Sequence, residues 1–88
     1  PLRSPDRPPH DPKSALNEWA LGHGRGEPTY ALLDRSGPDH APRFSVAARV
    51  AGLPEAVGKG RTKRAAEQSA ALELLTREGV WAADEHAA

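Results

Sequence analysis

Phe44, Val46, Ala48 and Val50 alternate with Arg43, Ser45, Ala47 and Arg49. Successive side chains of a strand point to opposite faces, so this period of two predicts an antiparallel β-strand with one apolar and one wet face. A strand of this kind needs neighbours to hydrogen-bond its backbone and a cover for its apolar side. That requirement decides how the flanking segments are read.

Pro28 to Arg35 reads as the preceding strand, with Tyr30 and Leu32 on one face, and Ser36 to Pro42 is turn chemistry rich in Gly, Pro and Asp. Gly52-Leu53-Pro54 turns the chain again, and Glu55 to Gly58 reads as a short third strand. Before the strands, Asp11-Pro12 is a helix start, a capping acid followed by proline. Leu16, Trp19, Ala20 and His23 fall on one helical face, which makes His23 a core-edge residue. Ser14, Asn17, Glu18 and Leu21 lie nearly opposite. Gly22, Gly24 and Gly26 close this helix. After the strands, Thr62 caps a long helix running to about Arg77 and closed by Gly79. Its apolar stripe is Ala66, Ala70 and Leu74, flanked by Ala71 and Leu75, and the alanines permit close approach to a sheet.

The expected fold is α+β in the order α-β-β-β-α, with two helices packed on one face of a three-stranded antiparallel sheet. Residues 1–10 are proline-rich and read as an extended linker, 11–81 as the folded domain, and 82–88 as a frayed tail. A chain of 88 residues allows one domain at most. With no cysteine, a disulfide framework, a zinc finger and a thiol nucleophile are excluded together. No apolar run approaches the roughly 18 residues of a membrane span, and no charged-then-apolar leader opens the sequence. The four histidines show no metal-ligand spacing, and Asp39-His40 has no nucleophile placed to complete a triad.

Twelve basic and twelve acidic residues sum to a net charge of zero, which on its face argues against a nucleic-acid partner. The sum hides the distribution. Four of the six residues in KGRTKR are cations: Lys59, Arg61, Lys63 and Arg64. Lys63 and Arg64 open the long helix, where the partial positive charge of the dipole makes cations unfavourable by about 0.3–1 kcal/mol each. Ala65 stands where a capping-box acid would. Stacked cations beside free backbone N–H groups suit a phosphate. A solvated charge run that begins a helix is the plainer reading of the same residues. Neither the P-loop nor the dinucleotide spacing is met by the glycines.

The succession DPKSALNEW, PTY, SGPDHAPRFSVAARV and GKGRTKRAAEQSAALELL resembles the double-stranded-RNA-binding domain, and more narrowly the C-terminal domain of bacterial ribonuclease III. The resemblance covers about residues 11–79. It implies three contact regions on about 16 base pairs of duplex RNA, two minor grooves and the phosphates of the major groove between them. The first maps onto Ser14, Asn17 and Glu18, where relatives often carry Thr and Gln in place of Ser14 and Asn17. Leu21 departs further, standing where relatives can have Gln. The second is the loop holding Pro38 and His40. The third is Lys59, Arg61, Thr62, Lys63 and Arg64. Glu67 occupies a position that is often Lys in the wider family and commonly acidic in ribonuclease III, which suggests modest affinity.

The implied function is duplex-RNA binding by shape, as the substrate-binding domain of an endoribonuclease. The chain alone carries no catalytic residue, metal site, cofactor or small-molecule ligand. The implied parent is a cytoplasmic, magnesium-dependent enzyme acting on structured RNA precursors, a homodimer through a separate domain, with the chain alone a monomer. A stand-alone RNA-binding protein and a protein-interaction domain of the same fold are the alternatives. Single-strand binding is disfavoured, because Trp19, Tyr30 and Phe44 are needed for packing and leave no stacking platform.

Overall fold

The computed structural model describes residues 11–81. The expected linker at 1–10 and tail at 82–88 lie outside the described residues. The elements are α1 (Pro12–Gly22), β1 (Thr29–Ser36), β2 (Arg43–Arg49), β3 (Ala56–Gly60) and α2 (Lys63–Arg77), and the strands form one antiparallel sheet in the order β1-β2-β3.

The helix ends follow the capping chemistry. Asp11 adopts extended backbone and its carboxylate accepts the Ser14 N–H at 3.3 Å, with Pro12 at the first helical position. At the other end of α1, Gly24 takes φ +71°, the left-handed conformation that glycine adopts without steric cost. The Arg25 N–H then reaches the Ala20 carbonyl at 2.9 Å and the Gly24 N–H reaches Leu21 at 3.0 Å, a Schellman closure. The same pair of bonds closes α2, from Val80 to Leu75 and from Gly79 to Thr76. His23 caps α1 and is exposed, with its ring 5.0 Å from that of Trp19. It lies just past the last helical residue, so the helical spacing that put it at the core edge no longer applies.

The core is small and aliphatic. Leu16, Val46, Leu74 and Leu75 are its largest fully buried side chains, and alanines from α1, β2, β3 and α2 fill the space between them. Trp19, Tyr30 and Trp81 pack against this cluster while half-buried. α2 lies directly on β3 and β2, and α1 packs on α2.

Close approach of α2 explains two glycines. Gly58 and Gly60 occupy the helix-facing positions of β3, in register with Val46 and Phe44. A Cβ on Gly60 would sit 2.7 Å from the Ala66 nitrogen, and one on Gly58 would overlap the backbone of Ser69 and Ala70. These glycines therefore set the helix–sheet distance. They also hide the strand from a pattern reading: its inward positions carry Ala, Gly and Gly, so no apolar alternation marks them. β3 consequently runs over Ala56–Gly60, where the sequence suggested 55–58.

Two further residues depart from expectation. Leu32 pairs with Val46 on the helix side, as its alternation with Tyr30 predicts, yet it is 47% exposed. A bulge between Leu32 and Asp34 breaks the register, and this edge strand has at most marginal contact with either helix. Ala47 lies on the opposite, nominally wet face and is fully buried. It is central, between Ala31 on β1 and Val57 on β3, and its neighbours shield so short a side chain.

Candidate nucleic-acid interface

Register brings two of the three expected contact regions to one end of the sheet. β1 ends at Ser36 opposite Arg43, and β3 ends at Gly60 opposite Phe44. The β1–β2 loop and the start of α2 therefore leave the sheet at the same end. In that loop the Ala41 N–H donates to the Pro38 carbonyl at 2.9 Å, a turn that leaves Pro38 and His40 exposed. Its root is braced by the Arg35 guanidinium, 5.6 Å from the centre of the Phe44 ring.

The start of α2 keeps its cations in solvent. The Thr62 hydroxyl accepts the Ala65 N–H at 2.9 Å, which caps the helix and satisfies one amide. Lys63 and Arg64 follow as the first two helical residues, both exposed, and the first turn holds no acid. Among the described residues, none of Lys59, Arg61, Lys63 and Arg64 forms a salt bridge. The positive end of the helix dipole and these cations add in the same direction.

The first helix meets this site across a groove of about 780 Å³. Ser14, Asn17 and Glu18 of α1 line it together with Arg64 and Gln68 of α2 and with Tyr30 of β1. Ser14 and Glu18 are exposed and Asn17 is half-buried. Leu21 is 48% exposed on the same side of the helix, as its spacing predicts, without a polar group to offer.

Lys59 is the member of the basic run that the fold separates. It pairs with Ser45 on the face of the sheet away from α2, because it alternates with Gly58 and Gly60, which touch the helix. Arg61 lies in the short connection between β3 and α2 and is exposed.

The sequence reading missed what Glu67 and Gln68 do. The Lys13 Nζ lies 2.6 Å from Glu67 Oε1, with the Glu67 side chain only 17% exposed. The same ammonium stands 5.0 Å from the centre of the Tyr30 ring. Gln68 accepts the Lys13 backbone N–H at 3.0 Å and donates to the Asp11 carboxylate at 3.1 Å. Glu67 is thus a neutralised structural acid and not a free negative charge beside the cations. The signal was absent from the sequence because these partners are separated by more than fifty residues.

Electrostatics follow from these contacts. Hydrogen bonds from Ser14 and Gln68 hold the Asp11 carboxyl below its ordinary value. Burial, with the negative charges of Glu67 and Asp11, pushes the Tyr30 phenol up to about 12. Among the described residues no cluster of His, Cys, Asp or Glu is placed to hold a metal ion, and no helix is long and apolar enough to cross a membrane.

The chain has clear relatives in sequence and in fold. Ribonuclease 3 of Caulobacter vibrioides is 56% identical over 71 residues, covering 81% of this chain and 31% of that protein. Ribonuclease 3 of Methylocella silvestris is 48% identical over 79 residues, covering 90% of this chain and 34% of that protein. The chain therefore spans about a third of the length of these relatives. Among solved structures, the first dsRBD of protein HYL1 superposes with a TM-score of 0.63 at 30% identity, covering 77% of this chain and 96% of that one. The sequence pattern of the double-stranded RNA binding motif matches residues 12–77, from the first residue of α1 to the last of α2, and the chain belongs to that family.

Proposed function

We propose that this chain binds duplex RNA by its shape, as the substrate-binding domain of a ribonuclease III-type endoribonuclease. The observation that carries this reading is the groove shared by Ser14, Asn17 and Glu18 with Arg64. It sets short hydrogen-bonding side chains beside an exposed cation, without a salt bridge among the described residues, at a positive helix end.

A-form RNA displays 2′-hydroxyls in a wide, shallow minor groove and hides its base edges in a deep, narrow major groove. Ser14, Asn17 and Glu18 would meet hydroxyls and base edges in one minor groove. Lys63 and Arg64, with Thr62 and Arg61 beside them, would bind phosphates across the major groove. Pro38 and His40 would enter the next minor groove. Lys59, on the far face of the sheet, adds to the field more than to a direct contact. The expected preference is for duplex RNA over duplex DNA and single strands, with little regard to sequence.

The same reading extends to the parent enzyme. Its hydrolytic step would use magnesium held by the carboxylates of a separate domain, as the likeness to ribonuclease 3 implies. Homodimerisation through that other part, action on structured RNA precursors and a cytoplasmic location belong to this proposal. Alone, the chain is expected to be a monomer that binds without cutting.

Titrating matched RNA and DNA duplexes while following backbone amide shifts tests the assignment. Shifts on duplex RNA should concentrate at 14–18, 38–40 and 61–64, and Asn17→Ala or His40→Ala should weaken RNA binding with little change in its salt slope. Indifference to duplex RNA at low salt would overturn the reading.

A further inference from the structure

One amide side chain on α2 completes the N-terminus of α1. Gln68 Oε1 accepts the Lys13 N–H, one of the helix-start amides that has no partner within its own helix. Gln68 Nε2 donates to Asp11 Oδ2, the same carboxylate oxygen that accepts from Ser14. The partners leave one orientation for the amide, since a backbone N–H demands the oxygen and a carboxylate demands the nitrogen. The Lys13–Glu67 pair lies one residue away, with its acid 17% exposed and its base 36%.

These four residues sit next to the proposed contacts on both helices. Asp11 and Lys13 precede Ser14 and Asn17, and Glu67 and Gln68 follow Lys63 and Arg64 by one turn. We propose that Gln68, supported by the Lys13–Glu67 pair, is a positioning residue for discrimination between duplexes: it holds the minor-groove face of α1 at one fixed distance from the phosphate-binding start of α2. This rests on the duplex-RNA reading. A-form and B-form duplexes differ in groove width and depth, so a minor-groove edge and the phosphates across the major groove are differently spaced. Two contacts held rigidly can register that difference. Two contacts on a loose joint adapt to either form, and phosphate attraction alone does not distinguish them.

The test exchanges donor and acceptor. Gln68→Glu keeps an oxygen for the Lys13 N–H and sets its carboxylate against that of Asp11. Asp11→Asn keeps an oxygen for Ser14 and supplies an N–H₂ group. The double variant Asp11→Asn with Gln68→Glu conserves net charge, leaves the Lys13 N–H bond as it was and reverses only the bond between positions 11 and 68. The new amide is turned so that its nitrogen faces position 68 and its oxygen faces the Ser14 N–H, the two roles that one Asp11 oxygen fills in the native chain. Affinities of the 88-residue chain for matched RNA and DNA duplexes of about 20 base pairs are measured at several salt concentrations. Each variant's thermal melt is recorded alongside.

Gln68→Glu should lower the RNA-to-DNA affinity ratio about fivefold, and the double variant should return it to within about twofold of wild type. The salt slope should stay constant throughout. If Gln68→Glu does not fold, Gln68→Met, which keeps the length and removes both bonds, takes its place with the same expected drop. An unchanged ratio in a folded single variant, equal weakening on both duplexes, or a folded double variant without recovery overturns the positioning role. A wild-type chain that fails to discriminate RNA from DNA overturns instead the duplex-RNA reading beneath it.

Discussion

Lys13 at the start of α1 places its ammonium 2.6 Å from the Glu67 carboxylate on α2, where the acid is 17% exposed and the base 36%. This pair converts the acid nearest the basic helix start into a tie between helices. Glu67→Ala should lower unfolding free energy by about 1 kcal/mol, between the values for exposed pairs and for hydrogen bonds to charged groups. Urea denaturation checks this. Glu67→Lys, which would set two ammonium groups together, should cost more, even though it adds a cation to an RNA-binding face.

Lys63 and Arg64 are exposed at a helix start that holds no acid. Replacing both with alanine should weaken every duplex alike. The slope of log affinity against log salt should fall by about 0.9 for each phosphate that is no longer neutralised. Binding curves at four or five salt concentrations would measure it, and an unchanged slope would remove these residues from the interface.

Gly58 faces the backbone of Ser69 and Ala70 with no room for a methyl group. Gly58→Ala should therefore destabilise the domain by about 1–3 kcal/mol, as overpacking does, because the obstacle is α2 itself and not a flexible side chain. Val57→Ala on the exposed face of the same strand should cost much less. Paired thermal melts distinguish the two.

Tyr30 and Asp11 make opposite pH predictions. The Tyr30 phenol is raised from 10.0 to about 12, so its contribution is fully present below pH 10.0 and disappears as pH rises through about 12. Phenolate absorbance should show the late titration. The Asp11 carboxyl is lowered from 3.8, so its contribution is present above that value and disappears as pH falls through the folded-state value. Asp11→Asn should flatten the acid limb of the stability curve without abolishing the cap.

Much of this was legible in one dimension because its physics is local. The period of two over Phe44–Val50, the caps Asp11 and Thr62 and the alanine stripe on α2 each act through neighbours in sequence, and each stands where the pattern predicts. The cations at 61–64 were legible for the same reason, as charges placed against a helix dipole. Leu32 stands on the face its alternation gives, yet is exposed, because alternation reports a face but not what covers it. Gly58 and Gly60 resemble loop glycines in sequence, and only the helix pressed against them gives their reason.

The chain's own pattern determines five elements, their order, the apolar side of the sheet and a positive helix start, since all follow from periodicity and from capping groups a few residues apart. Tertiary structure alone decided that Glu67 is neutralised, that Gln68 finishes the cap of α1, and that Lys59 faces away from the other cations. Those outcomes depend on which surfaces meet across fifty residues of chain, and on a closeness of packing that two missing side chains permit.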